Sequence, residues 1–182
     1  AGWLFYRSSA PGWPLGVTQA INAPQGVSVA YTDSIPLLAV LCRPLAAALG
    51  GTFQYFGWFT LVCFALQGGF AALLCGLFAE GLAAPLAGSL VFAASPILLE
   101  RAFRHTSLGA QWLVLAALYC YFVCRRQSRF ASRGLFVINI LAVGIHPYFL
   151  PMTYAVTLAL LPAMVQVIIL LVNGNLGAGV AV

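Results

Sequence analysis

The stretch YFGWFTLVCFALQGGFAALLCGLF, residues 55–78, carries no charged side chain. A helix rises about 1.5 Å per residue, so a run of this length reaches across the roughly 30 Å hydrocarbon layer of a bilayer. Inside that layer no water pairs with backbone N–H and C=O groups, so the run must satisfy them internally, as a helix. A membrane barrel strand would alternate in polarity, and this run does not. The same reading applies to LAAPLAGSLVFAASPILL (82–99), SLGAQWLVLAALYCYFVC (107–124) and MTYAVTLALLPAMVQVIILLV (152–172). LFVINILAVGIHPYFL (135–150) is a shorter fifth, ended by the prolines of HPYFLP. The expected fold class is all-α: a polytopic transmembrane helix bundle of about five spans over residues 55–172, with a tail at 173–182.

Composition supports this. Of 182 residues, 63% are hydrophobic and 6% charged, where a soluble domain carries roughly a quarter charged residues. The predicted location is a bacterial inner (cytoplasmic) membrane, crossed several times. The absence of Lys beside eight Arg and abundant Ala and Gly points to a GC-rich bacterial genome. The opening, AGWLFYRSS, reads as the last turn of an earlier span, and the chain is expected to be a fragment of a longer protein.

Residues 1–54 differ from the rest. RSSAPGWPLGVTQAINAPQGVSVAYTDS is dense in turn-forming residues and has no apolar period, which predicts an extramembrane loop. IPLLAVLCRPLAAALGG follows. It is apolar, too short to span comfortably, and interrupted at Arg43-Pro44, so it is expected to be an interfacial helix.

Arginine sets the orientation. The loop RRQSRFASRG (125–134) has four Arg and no acid, which places it in the cytoplasm. Residues 1–54, the connection ERAFRHT (100–106) and His146 are then extracytoplasmic, and Glu80 cytoplasmic. The net charge of +5 would point to nucleic acid in a soluble protein. Here the arginines lie between apolar segments, so topology and lipid phosphates account for them, and no nucleic-acid partner is expected.

This topology gathers the candidate chemistry at one membrane face. Asp33, one of three acids in the chain, has two readings. Asp33 or Ser34 would cap the helix that Pro36 opens; alternatively, Asp33 is a general base at the membrane surface. Arg101 and Arg104, three apart and followed by His105, would form a phosphate clamp, or else meet lipid head groups, with Glu100 paired to Arg104. His146 lies in an apolar run at a proline-broken helix end, where an ionisable group is a functional candidate or is satisfied by a freed carbonyl. Gln67, Gln111 and Asn139 read as interhelical hydrogen-bonders. Trp13, Tyr55, Trp58 and Tyr148 read as interfacial aromatic belts. There is no Walker loop, dinucleotide fingerprint, HExxH or GxSxG, and the five Cys are not spaced with His for zinc. No metal or cofactor is expected.

The segments FYRSS, GWPLG and YTDSIPLLA, then FQYFGWFTLVCFALQGGFAALL, RHTSLGAQWLVLAALYCYF and HPYFL resemble an uncharacterised family of bacterial multi-spanning membrane proteins over most of residues 3–160. That family in turn is similar to the GT-C superfamily of membrane glycosyltransferases. The resemblance implies transfer of a sugar from a polyprenyl-phosphate carrier at the periplasmic face. Asp33 would be the catalytic carboxylate of the first extracytoplasmic loop. Arg101, Arg104, His105 and His146 would bind the donor phosphate. A single Asp stands where that superfamily often has a pair, which argues against an obligatory metal. The chain shows no counterpart of the superfamily's further spans and soluble domain. Two other readings compete: a non-catalytic structural subunit of a larger membrane assembly, and a lipid or solute transporter.

Orientation is open to direct measurement. In a background free of native cysteines, a cysteine at Ser9 should react with an impermeant reagent on intact cells, and one at Ser128 should not. The opposite pattern rejects the topology.

Overall fold

The structure, a computed structural model, describes residues 2–10, 12–46, 48, 50–127 and 130–159, and only the backbone of 126, 127 and 130–132. Residues 160–172 of the expected last helix and the tail 173–182 lie outside the described residues.

The apolar runs form helices. The central one, α3, spans Phe56–Gly76; its 21 residues rise about 32 Å. It is followed by α4 (Ala83–Ala93), α5 (Pro96–Arg104), α6 (Trp112–Gln127), α7 (Phe130–Ile145) and α8, whose described part is Phe149–Ala159. Among the described residues, α3 and the segment Thr106–Arg125 are long and apolar enough to cross a membrane. The pair α4 and α5, bent by 41°, makes a third if it is one span.

The boundaries correct the sequence reading in four places. The expected span 82–99 is two helices, because Ser95-Pro96 cannot continue the hydrogen-bond ladder of α4. The expected loop 100–106 is largely the end of α5, and the expected loop 125–134 is largely the ends of α6 and α7. The short helix expected at 135–150 begins at Phe130 and ends at Ile145, before His146-Pro147.

The bundle packs by close approach. On α3, a Cβ at Gly68 would lie 2.8 Å from Ser89 Oγ, so small residues let α3 and α4 approach closely. The connection between α7 and α8 is bridged by side chains. Thr153 Oγ1 donates to Asn139 Oδ1 at 2.9 Å, and Asn139 Nδ2 donates to Thr157 Oγ1 at 2.9 Å. Asn139 is thus the interhelical bonder its position predicts. Gln67 is not: its buried Oε1 has no partner among the described residues.

Residues 2–54 fold onto one end of the bundle. They contain α1 (Gly2–Ser8), a two-residue hairpin of β1 (Val17–Thr18) and β2 (Val27–Ser28), and α2 (Pro36–Cys42), which tightens into a 3-10 turn at Arg43–Leu45. Two arginines clasp this segment. Arg7 donates to the carbonyls of Ala46 and Gly50, each at 2.7 Å. Arg43 donates to Ser9 O at 2.8 Å and Ala10 O at 2.7 Å, with its guanidinium 4.3 Å from the Tyr6 ring centroid. Each therefore satisfies carbonyls left free where the other's helix ends. Trp3 is fully buried between them, donating to Phe53 O at 3.0 Å and packing on Tyr55. Tyr55, expected in an interfacial belt, is buried as well, and its hydroxyl donates to Ser34 O. Trp13, Trp58 and Tyr148 are exposed.

One contact positions the site. α2 lies against the last turn of α7, where a Cβ on Gly144 would come within 3.1 Å of Leu37 Cβ. Gly144→Val should therefore push α2 away and lower stability by about 1–3 kcal/mol. A Cβ on Gly69, in α3, meets nothing within 4 Å, so Gly69→Ala should leave stability unchanged or raise it by up to about 1 kcal/mol. Thermal unfolding in detergent compares the two, and equal effects would refute the close-approach argument.

Candidate functional site

The turn before α2 is built from hydroxyls and strained backbone. Asp33 has φ 53° and Ile35 φ 50°, the left-handed region, which suits Asp and costs a β-branched residue about 1–2 kcal/mol. Ile35 is fully buried, which returns about 1.5–3 kcal/mol and offsets the strain. Thr32 Oγ1 donates to Val29 O at 3.0 Å and bonds Ser34 Oγ at 2.7 Å. A Cβ at Gly2 would strike both hydroxyls, so α1 braces the turn from behind.

The turn aims Asp33 away from α2. The N-cap position of α2 is Ile35, with no side-chain cap bond, so neither Asp33 nor Ser34 caps that helix as one sequence reading expects. Instead Asp33 Oδ1 accepts from the backbone N–H of Ser107 at 3.0 Å and from the Ser107 hydroxyl. Ser107 lies in the 3-10 turn Thr106–Gly109 between α5 and α6. Asp33 is a cap after all, but of a turn 74 positions later. Its Oδ2 has no hydrogen-bond partner among the described residues.

One histidine adjoins the turn that this carboxylate caps, and the other senses its charge. His105 directly precedes the turn that Asp33 caps. His146 is half-buried and feels the charges of both Asp33 and His105. Burial lowers the His146 imidazole from its ordinary value near 6.5; Asp33 opposes that shift and His105 adds to it. The folded chain therefore resists protonation of His146. That costs nothing above about pH 6.5, and the cost grows as pH falls below it.

Arg101 and Arg104 stand on the last turn of α5, just before His105, where the helix dipole favours cations. Arg101 is half-buried and Arg104 exposed, and neither bonds any described residue. Glu100 is exposed, and the expected Glu100–Arg104 pair is not formed among the described residues. No bond joins either arginine to Asp33 or the histidines. Between the start of α3 and the end of α5 runs an open groove of about 740 Å³, lined by Phe56, Trp58, Leu61, Phe64 and Phe103 with Thr106 among them. It reaches within one residue of Ser107. Among the described residues, no three His, Cys, Asp or Glu side chains gather at metal-binding distance.

The sequence reading missed Ser107 and the groove. Ser107 is one of many serines, and its only signal is its place two residues after His105. The groove joins helices far apart in sequence, so no local pattern marks it.

The fold defines a helical protein with apolar helices long enough to cross a membrane and a polar cluster at one end of its bundle. The chain belongs to the DUF6311 family, a domain of unknown function, whose profile matches residues 1–168. No curated protein and no solved structure matches it.

The link between Asp33 and Ser107 is measurable by a double-mutant cycle. Asp33→Ala alone should cost about 1–3 kcal/mol, because it strands the Ser107 donors. Asp33→Ala and Ser107→Ala together should cost clearly less than the sum of the single changes. Strict additivity in detergent unfolding would rule out the bond from the Ser107 hydroxyl, the one that Ser107→Ala removes.

Proposed function

We propose that the chain is a GT-C-like glycosyltransferase in the bacterial inner membrane, crossing it several times and moving a sugar from a polyprenyl-phosphate donor at the periplasmic face. The observation that carries this reading is Asp33, with one carboxylate oxygen anchored by Ser107 and the other unbonded among the described residues. An anchored carboxylate with an open lone pair suits a general base. In the proposed step, Oδ2 takes the proton of an acceptor hydroxyl. The acceptor's oxygen bonds to the anomeric carbon, and the bond from this carbon to the phosphate oxygen breaks. The electron pair leaves with the polyprenyl phosphate.

Arg101 and Arg104, which bond no described residue, would offset the charge of that phosphate, with His105 beside them in sequence and His146 within reach of the charge of His105. The apolar groove between α3 and α5 would take the first isoprene units of the carrier. A membrane lipid is thus the proposed partner, and the proposed step uses no metal or cofactor.

One observation favours a second reading, a non-catalytic subunit of a larger membrane assembly. The bond from Asp33 to Ser107 ties the N-terminal segment to the bundle, and a structural tie needs no chemistry.

Asp33→Asn separates the two. Asparagine still accepts from Ser107 but is no base. In full-length protein reconstituted into vesicles and offered a panel of labelled polyprenyl-phosphate sugars, the variant should fold and insert normally. It should lose roughly 100-fold or more of its transfer rate. Undiminished transfer removes the catalytic assignment and leaves the structural reading.

A further inference from the structure

His146 closes α7 and begins the turn that leads into α8. Its backbone N–H donates to Ala142 O at 3.0 Å, completing the earlier helix. Its side-chain Nδ1 accepts from the backbone N–H of Tyr148 at 3.2 Å. Pro147 stands between them, with no N–H of its own. His146 thus caps the turn that leads into α8, with Pro147 as the first residue of that turn, the imidazole nitrogen taking the place that a serine or aspartate oxygen has at a helix N-cap. A nitrogen that accepts this bond carries no proton, so in the neutral ring the proton sits on Nε2. The positive end of the α8 dipole disfavours an imidazolium at the same place. Nε2–H has no partner among the described residues.

We propose that His146 serves the site as a neutral hydrogen-bond donor through Nε2–H, in a tautomer fixed by the start of α8, and that the atom it meets is a phosphate oxygen. The tautomer rests on the cap geometry alone; the phosphate rests on the function proposed above. The role differs from that of Arg101 and Arg104. His146 brings no charge to the clamp, and it positions one oxygen by direction. The groups that set its protonation are Asp33 from the turn before α2, His105 from the connection between α5 and α6, and burial at the helix junction. Tyr148, from its own turn, stands edge-on with ring centroids 6.5 Å apart. A protonated ring would have to give up the bond from Tyr148, so the donor role holds on the alkaline side of the histidine range, where a histidine binding as an imidazolium would fade.

The chain has two histidines, which makes the test direct. In full-chain protein labelled with 15N-histidine in micelles, His105→Gln leaves the His146 ring as the one imidazole signal. At pH 7.5 that ring should be neutral, with Nδ1 unprotonated and Nε2 protonated. A protonated Nδ1 or an imidazolium overturns the tautomer. Farnesyl phosphate is the probe for the ligand. In the wild-type chain it should shift Nε2 more than Nδ1, and His146→Phe should weaken its binding at least tenfold. His146→Gln, which keeps a donor near the Nε2 position, should stay within about threefold of wild type. Equal binding by His146→Phe overturns the phosphate contact. Neither result depends on turnover, so failure here is distinguishable from failure of the Asp33→Asn transfer test.

Discussion

The bond from Ser107 to the Asp33 carboxylate joins positions 74 apart and ties the N-terminal segment to the helix bundle. Both ends are prepared for it. On one side, the left-handed backbone at Asp33 and Ile35 turns the carboxylate away from α2, held by the Thr32 and Ser34 hydroxyls and by the burial of Ile35. On the other, the kink at Ser95-Pro96 and the 3-10 turn after His105 present a free N–H. An unpaired backbone donor in a partly buried turn is costly, and a carboxylate is a strong acceptor for it. Where Asp33 goes, the turn before α2 follows, and with it the histidines acquire a common neighbour.

Charge is scarce in this chain, so the use of each cation is informative. Arg7 and Arg43 are spent on carbonyls at helix ends, each bracing the other's segment. Arg125 reaches Tyr121 on its own helix. Arg101 and Arg104 bond no described residue. Arginines with equal prospects in the sequence thus divide into structural and available ones, and the division follows from which carbonyls lie within reach. The available pair stands on either side, in sequence, of Ala102 and Phe103, which line an apolar groove.

Asp33 and His146 share a design. Each spends one side-chain atom on a backbone N–H at the start of a helical turn, and the other bonds no described residue. Capping fixes the rotamer, so the free atom is held in place without a further partner. Structural and chemical roles are therefore not rivals at these positions, as the sequence reading treats them. A cap immobilises the group that chemistry would need.

The apolar runs by themselves determine the helices, since a backbone with no water to bond has one local solution. The break at Pro147 was legible for the same reason, as was the bridging role of Asn139: polar groups in apolar helices seek each other. Arg101 and Arg104 were legible as neighbours of His105. Helix boundaries were not, because Glu100 and Arg101 look like a loop until Pro96 restarts the helix. Nor was the partner of Asp33. The local pattern offers α2 as the helix to cap, and only the folded chain shows that the left-handed turn points the carboxylate elsewhere. Sequence decides what each segment can satisfy within itself. The groups a segment leaves unsatisfied, the Asp33 carboxylate and the Ser107 donors, are assigned by the tertiary structure, because their partners come from distant segments that only packing brings within hydrogen-bonding distance.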